Sequence, residues 1–363
     1  MHKNVIVILF LLLFSVPLFL FLWPSRPQDQ GTEGGTPPET EAAAPAGEPA
    51  APPVPAMPPA PPAKVPVPVP PAAAPSGMPG RFRPDFFPVQ EKPMTDSLRR
   101  EMREVRSGLV LDLDTRTILW QKDAARSYPI ASLTKLMTSI LLMEYLEQTP
   151  EVTLKTLVQV TPEDRKYFRD KKINGVFLDA GESYRLEEYL MCMLVGSAND
   201  CAYVVGRYLA GGVPERFPEM MNRRAGELGL TGMHFYNPNG LPVIQGKQRM
   251  ENTGSALEVA YLALRAIQYP AIRQWAATTG GKIRADKKNP FDVHSTNKLL
   301  RGKVPGVNGL KTGFTDGAGY CIVVTCQRAG RNRMVVVMGV QGSDRGRRRD
   351  ELAKKLLEWS YQP

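Results

Sequence analysis

Ser132-Leu133-Thr134-Lys135 stands at the head of the chain's clearest helical pattern, with Leu136, Met137, Ile140 and Leu141 following it on one side. That spacing predicts a helix over 132–147. On such a helix Ser132 and Lys135 lie one turn apart on the same face. A serine hydroxyl is a weak nucleophile until a base takes its proton. Lysine serves as that base only when its pKa falls, and burial or a neighbouring cation lowers it. The helix start also aims backbone N–H groups at the place where an oxyanion would form. By itself S-x-x-K is a weak signal. An N-cap serine gives the same pattern, and Ser295-Thr296-Asn297-Lys298 matches it by chance.

Two further elements sharpen the reading. Ser197-Ala198-Asn199 is a small polar break between apolar helical stretches, suited to pointing a hydroxyl and an amide into a cleft, though turns favour the same residues. Lys311-Thr312-Gly313 occurs once. Its glycine allows close approach of another backbone, and its lysine and threonine suit an anionic substrate group. S-x-x-K, S-x-N and K-T-G in this order form the trio found in penicillin-binding proteins and class A β-lactamases. Histidine is scarce, with only His2, His234 and His294. A lysine base therefore fits better than a Ser–His–Asp triad, and His234 reads as a packing residue.

Around these motifs the pattern predicts strands at 107–114 and 117–123, joined by the polar turn Asp114-Thr115-Arg116. Further helices are expected at 186–194, 201–209 and 258–267. Paired strands at 319–328 and 334–341 follow, with K-T-G just ahead of them, and a closing helix over 350–359. Strands at both ends with helices between them define an α/β domain with a mainly antiparallel sheet.

The 363-residue chain is uneven in composition. Residues 1–4 read as a cytoplasmic tail. Val5–Trp23 carries no charge and follows Lys3; it is long enough to cross a bilayer, and against the competing reading of a cleaved signal peptide it lacks a small-residue cleavage site. The positive-inside tendency then places the rest outside the cytoplasm, giving a single-pass inner-membrane protein with its catalytic domain in the periplasm or extracytoplasmic space. Residues 24–95 are rich in Pro and Ala and read as a disordered linker, able to reach roughly 200 Å if fully extended. Residues 96–363 read as one globular domain, long enough to bury its own core. The net charge of +10 suits anionic partners in general, but no nucleic-acid motif accompanies it. Cys192, Cys201, Cys321 and Cys326 lack metal-ligand spacing and read as small core residues. Nine residues apart in a helical region, Cys192 and Cys201 are expected to point in different directions.

The segment from Pro129 to Thr138 resembles the nucleophile segment of D-alanyl-D-alanine carboxypeptidases, the low-molecular-mass penicillin-binding proteins. Ser197–Asp200 and Lys311–Tyr320 resemble their second and third motifs. His234-Phe235, Asn239-Gly240-Leu241 and Lys354–Trp359 are similar as well. The resemblance covers residues 107–361 and implies a β-lactamase/transpeptidase-like fold, with helices on both sides of the sheet and a helical subdomain. It implies that Ser132 attacks the penultimate D-Ala carbonyl of a peptidoglycan stem peptide, and that Lys135 takes the serine proton. Ser197 relays a proton to the leaving amine, Asn199 holds a substrate amide and Lys311 supports Ser197. Thr312 and Arg349 bind the terminal carboxylate, and the N–H groups of Ser132 and Phe314, beside Gly313, form the oxyanion hole. Water completes hydrolysis, β-lactams inhibit, and no metal or cofactor is required. Arg347 and Arg348 stand close enough to compete with Arg349 for that role. Phe314 and Asn239 stand where many relatives carry histidine, and the loop after the first helix is reduced to Asn174-Gly175-Val176-Phe177. Alternatives are a D,D-endopeptidase or a β-lactamase on the same fold, or a catalytically idle wall-binding module.

Overall fold

The computed structural model describes residues 80–284 and 290–363. The expected membrane segment Val5–Trp23 and most of the Pro/Ala-rich linker lie outside the described residues. Among the described residues, no helix is long and apolar enough to cross a membrane.

Five antiparallel strands form the central sheet: β1 (Ser107–Asp112), β2 (Thr117–Lys122), β3 (Val307–Thr315), β4 (Gly319–Arg328) and β5 (Arg331–Val340), in the order β3-β4-β5-β1-β2. Arg116 closes the β1–β2 turn at φ 60, and Ala329 and Gly330 close the β4–β5 turn at φ 47 and 75. The K-T-G segment was expected ahead of the C-terminal strand pair. It lies within a strand of its own, β3, at one edge of the sheet, with Lys311 opposite Val323 and Thr312 opposite Ile322. Its strand character is hard to read because Gly309 and Gly313 interrupt the apolar alternation.

Successive strand residues face opposite sides, and here both sides are buried. Leu109, Leu111, Val323, Val336 and Met338 enter the larger core. There they meet α1 (Lys135–Gln148), α2 (Leu186–Met191), α3 (Asn199–Leu209) and α4 (Ala256–Ala266). Val110, Ile322, Val324, Val335 and Val337 enter a smaller core beneath the closing helix α5 (Arg347–Tyr361), against Leu352, Leu356, Leu357 and Trp359. Every residue of α4 is buried, and its two charged side chains are partnered, Glu258 with Ser255 and Arg265 with Glu144. Its start is fixed by the reciprocal bonds of Ser255 and Glu258.

Three expectations change. The helix expected over 186–194 stops at Met191, and Cys192–Gly196 continues as a wide π-turn. The path from Cys192 to Cys201 is therefore no single helix, and the two thiols lie close enough to influence each other instead of diverging. Burial first, then Cys192, pushes the Cys201 thiol well above its ordinary value. All four cysteines are buried and unpaired by disulfides. The linker also ends earlier than expected. Phe82 and Phe87 are buried in the larger core, the Phe82 ring lies 5.3 Å from that of Tyr261, and Val89 bridges to Ile118. Large apolar side chains in a proline-rich stretch are what allow it to pack.

Candidate active site

The S-x-x-K turn is tighter than an α-helix. Residues Ala131–Thr134 form a 3₁₀ turn, and regular helix begins at Lys135. Side chains three apart eclipse in 3₁₀ geometry, which brings Lys135 Nζ to 2.8 Å from Ser132 Oγ. The same nitrogen lies 2.7 Å from Asn199 Oδ1 and 2.7 Å from the backbone oxygen of Asn239. Lys135 is fully buried. Burial first, then the charge of Lys311, holds its pKa well below the ordinary lysine value.

These three partners fit a neutral amine. An uncharged lysine has two N–H donors and one lone pair. Two partners, the Asn199 amide oxygen and the Asn239 carbonyl, can only accept. The third is a hydroxyl, free to donate its proton to the lone pair. A base arranged in this way is poised to take the proton of Ser132.

The carbonyl of Asn239 reaches the lysine because its loop is built for it. Asn237 Oδ1 accepts from the backbone N–H groups of Asn239 (3.2 Å) and Gly240 (2.7 Å). The hydroxyl of Thr138 donates to Pro238 O at 2.7 Å. Gly240 has φ +84, and a Cβ there would run into Ala131 O. On the other side, a Cβ on Gly313 would lie 3.0 Å from Ser132 N and 3.1 Å from Ile130 O. The nucleophile turn is thus pressed between two glycine-bearing segments.

Ser197 follows the π-turn in the left-handed region, φ 59 and ψ 30, a conformation costing a non-glycine residue roughly 1–3 kcal/mol and concentrated at functional sites. Asn199 opens α3, and its N–H donates to Asn174 O at 3.1 Å. Asp200 then holds the short 174–178 loop, accepting from Val176 N at 3.0 Å.

On β3, Lys311 is buried and donates to Thr312 O at 2.9 Å. Burial first, then Arg349, lowers its pKa to about 7. Thr312 Oγ1 lies 2.6 Å from Thr296 Oγ1. Phe314 is 48% exposed and stacks on its cross-strand partner Tyr320 at 4.2 Å. Basic residues at a helix start oppose the helix dipole, yet α5 begins with three arginines. Arg348 turns to Glu101 and Glu104. Arg349 is buried, donates twice to Asp350 Oδ1 (2.9 and 2.6 Å) and lies near enough to Lys311 to lower its pKa. Of the three, Arg349 is the one placed by the K-T-G strand.

Sequence reading overlooked part of this arrangement. Ser295–Lys298 is no second nucleophile: Asn297 caps the short helix Lys298–Arg301, and Lys298 Nζ donates to Arg345 O. Its Thr296 nevertheless enters the site against Thr312, hidden inside what looked like a chance match. Asn239 contributes a backbone oxygen, which no side-chain pattern reveals. His234 pairs its backbone with Thr253 and sets its ring 4.5 Å from Tyr236.

A serine, a buried lysine hydrogen-bonded to it, an asparagine and a lysine-bearing edge strand on an antiparallel α/β frame define the class of serine–lysine acyl-transfer enzymes. A family model described as D-alanyl-D-alanine carboxypeptidase (peptidase S11) matches residues 95–342, and the chain belongs to that family. D-alanyl-D-alanine carboxypeptidase DacF of Bacillus subtilis is 28% identical over 282 residues, covering 77% of this chain and 67% of its own length. A D-alanyl-D-alanine endopeptidase of Escherichia coli is 28% identical over 244 residues, covering 66% of this chain and 73% of its own. Among solved structures, ampicillin-bound penicillin-binding protein D2 of Listeria monocytogenes superposes with a TM-score of 0.58 at 26% identity, covering 71% of this chain and 98% of its own.

Proposed function

We propose that this enzyme is a serine-type D-Ala-D-Ala carboxypeptidase that acts on peptidoglycan stem peptides through an acyl-enzyme. The observation that carries the reading is the Lys135 amine, buried and bonded to Ser132 Oγ, Asn199 Oδ1 and Asn239 O. Ser132 Oγ attacks the penultimate D-Ala carbonyl as its proton passes to Lys135. The N–H groups of Ser132 and Phe314 receive the oxyanion. Ser197 hands a proton to the departing amine, with Lys311 beside it. Asn199, its oxygen taken by Lys135, offers its amide N–H₂ to the substrate. Thr312 and Arg349 take the terminal carboxylate, a task suited to a guanidinium. Water then cleaves the ester. A β-lactam acylates the same serine. The charge-free run Val5–Trp23 supports a membrane tether with this domain outside the cytoplasm; alkaline extraction of membranes tests it, and release of the protein counts against it.

Fluorescent penicillin tests the chemistry. Native protein acquires a covalent label, Ser132→Ala abolishes it and Ser295→Ala leaves it; folded native protein that stays unlabelled overturns the mechanism. A second reading, endopeptidase, is favoured by curated relatives so named, from Pseudomonas aeruginosa and Escherichia coli. Mass spectrometry of digested wall fragments separates the two: loss of one D-Ala marks the carboxypeptidase, and split crosslinked dimers mark the endopeptidase.

A further inference from the structure

Two adjacent residues, Glu251 and Asn252, tie together the segments that build the site. Asn252 is fully buried. Its Nδ2 donates to Thr134 Oγ1 (3.0 Å) inside the S-x-x-K turn and to Asn237 O (2.9 Å) in the loop that carries Asn239. Its Oδ1 accepts from Tyr236 N at 2.8 Å, and its backbone oxygen accepts from Ile130 N at 2.9 Å. Glu251 reaches the other way. Its Oε2 accepts from Thr315 Oγ1 at 2.5 Å, and its Oε1 accepts from Arg249 Nε at 2.8 Å. Thr315 Oγ1 in turn accepts from Ala318 N at 3.0 Å. A side chain on Gly317 would collide with Glu251 Oε1, so the β3–β4 turn closes directly over the carboxylate.

A buried carboxylate is costly unless it is paired and hydrogen-bonded. A carboxylate gives the shorter, stronger bond to a hydroxyl, and this one falls on Thr315, the residue directly after Phe314. We propose that Glu251 is a positioning residue for acylation. Acting through Thr315, it fixes the end of the K-T-G strand, while Asn252 fixes the nucleophile turn, so that one rigid dipeptide sets the distance between Ser132 and the Phe314 N–H. The inference rests on the acyl-enzyme reading. Displacement of such a group by a fraction of an ångström slows chemistry while leaving ground-state binding nearly intact.

The test is the acylation rate constant and the non-covalent dissociation constant of the full-length protein with fluorescent penicillin, read beside its thermal unfolding. Thr315→Val keeps the shape and removes the donated hydroxyl; the rate should fall about 10- to 100-fold with the dissociation constant changed less than about 3-fold. Glu251→Ala should fall at least as far, and the double variant no further than Glu251→Ala, since both singles remove the Glu251–Thr315 bond. Glu251→Gln, which keeps an acceptor for Thr315, and Thr315→Ser, which keeps the donor, should recover to within about 3-fold of wild type. Should Glu251→Ala not fold, Thr315→Val against Thr315→Ser and Glu251→Gln decides alone. If wild type acylates and Thr315→Val matches its rate while only melting earlier, Glu251 is structural and the inference is overturned. If wild type does not acylate, the acyl-enzyme reading fails first and the positioning role falls with it.

Discussion

Replacing Gly313 by alanine probes the closest approach in the site. Its φ is not left-handed, so the substitution carries no backbone penalty and its effect is steric. The added Cβ would stand 3.0 Å from Ser132 N, 3.1 Å from Ile130 O and 3.2 Å from Ala131 Cβ, each inside the 3.4 Å at which ordinary contact begins. Two of these are backbone atoms, which cannot rotate away. Either β3 or the nucleophile turn must retreat by a few tenths of an ångström. Overpacking of this kind costs about 1–3 kcal/mol, a melting-point loss of about 2–12 °C for a domain of this size. The catalytic loss should be larger, because the retreating elements carry the two proposed oxyanion donors. Widening the space between them should slow acylation about 100-fold, close to the loss of one donor. Stopped-flow acylation by fluorescent penicillin and a thermal melt read the two effects separately. Gly226→Ala is the control. It lies in the helix Arg216–Glu227, and its added Cβ meets nothing within 4 Å. It should gain up to about 1 kcal/mol from helix propensity with acylation unchanged. A Gly313→Ala protein that acylates at the wild-type rate would refute the idea that strand and nucleophile turn are held at a critical separation.

Other expectations concern charge, binding and packing. Lys311 has a folded pKa of about 7 against an ordinary lysine value of 10.5. The unfolded chain therefore binds more protons between these limits, and this group's contribution makes stability rise with pH from about 7 to 10.5, by up to about 5 kcal/mol. In denaturant titrations Lys311→Met should lose that slope, gaining on wild type most near pH 7 and least near pH 10.5; parallel curves would contradict it. Thr296→Val removes the partner of the Thr312 hydroxyl and should raise KM for a D-Ala-D-Ala peptide about 10-fold with a smaller change in kcat; an unchanged KM would exclude Thr296 from substrate binding. Phe87→Ala should cost about 3–5 kcal/mol, whereas a truncation that removes only residues 1–79 should melt like the full chain; equal melting of the Phe87→Ala protein and wild type would return residues 80–95 to the linker.

How much of this could be read from the sequence varied with the kind of interaction. The strands 107–112 and 319–328 were plain because apolar residues run unbroken between turn residues. Ser132, Lys135 and Asn199, which the structure brings within hydrogen-bonding distance, are legible because side-chain type carries their chemistry. What escaped notice depends on backbone atoms and on distant neighbours. The tight turn at Ala131–Thr134 and the π-turn at Cys192–Gly196 retain helical composition. The Asn239 carbonyl has no signature in side-chain identity. Thr296 matters only because β3 lies beside it, a long-range contact that local pattern does not encode. Phe82 and Phe87 were masked by the prolines around them, although two buried phenylalanines supply enough apolar surface to anchor a short segment.

The two faces of the central sheet have a mechanical consequence. Ser132, Lys135 and Asn199 stand on helices rooted in the larger core, whereas Arg349 stands on α5, rooted in the smaller one. The nucleophile and its lysine therefore rest on one core and Arg349 on the other, on opposite faces of the sheet. Trimming Leu352 or Leu356 in the smaller core should therefore displace Arg349 before it disturbs the Ser132–Lys135 contact.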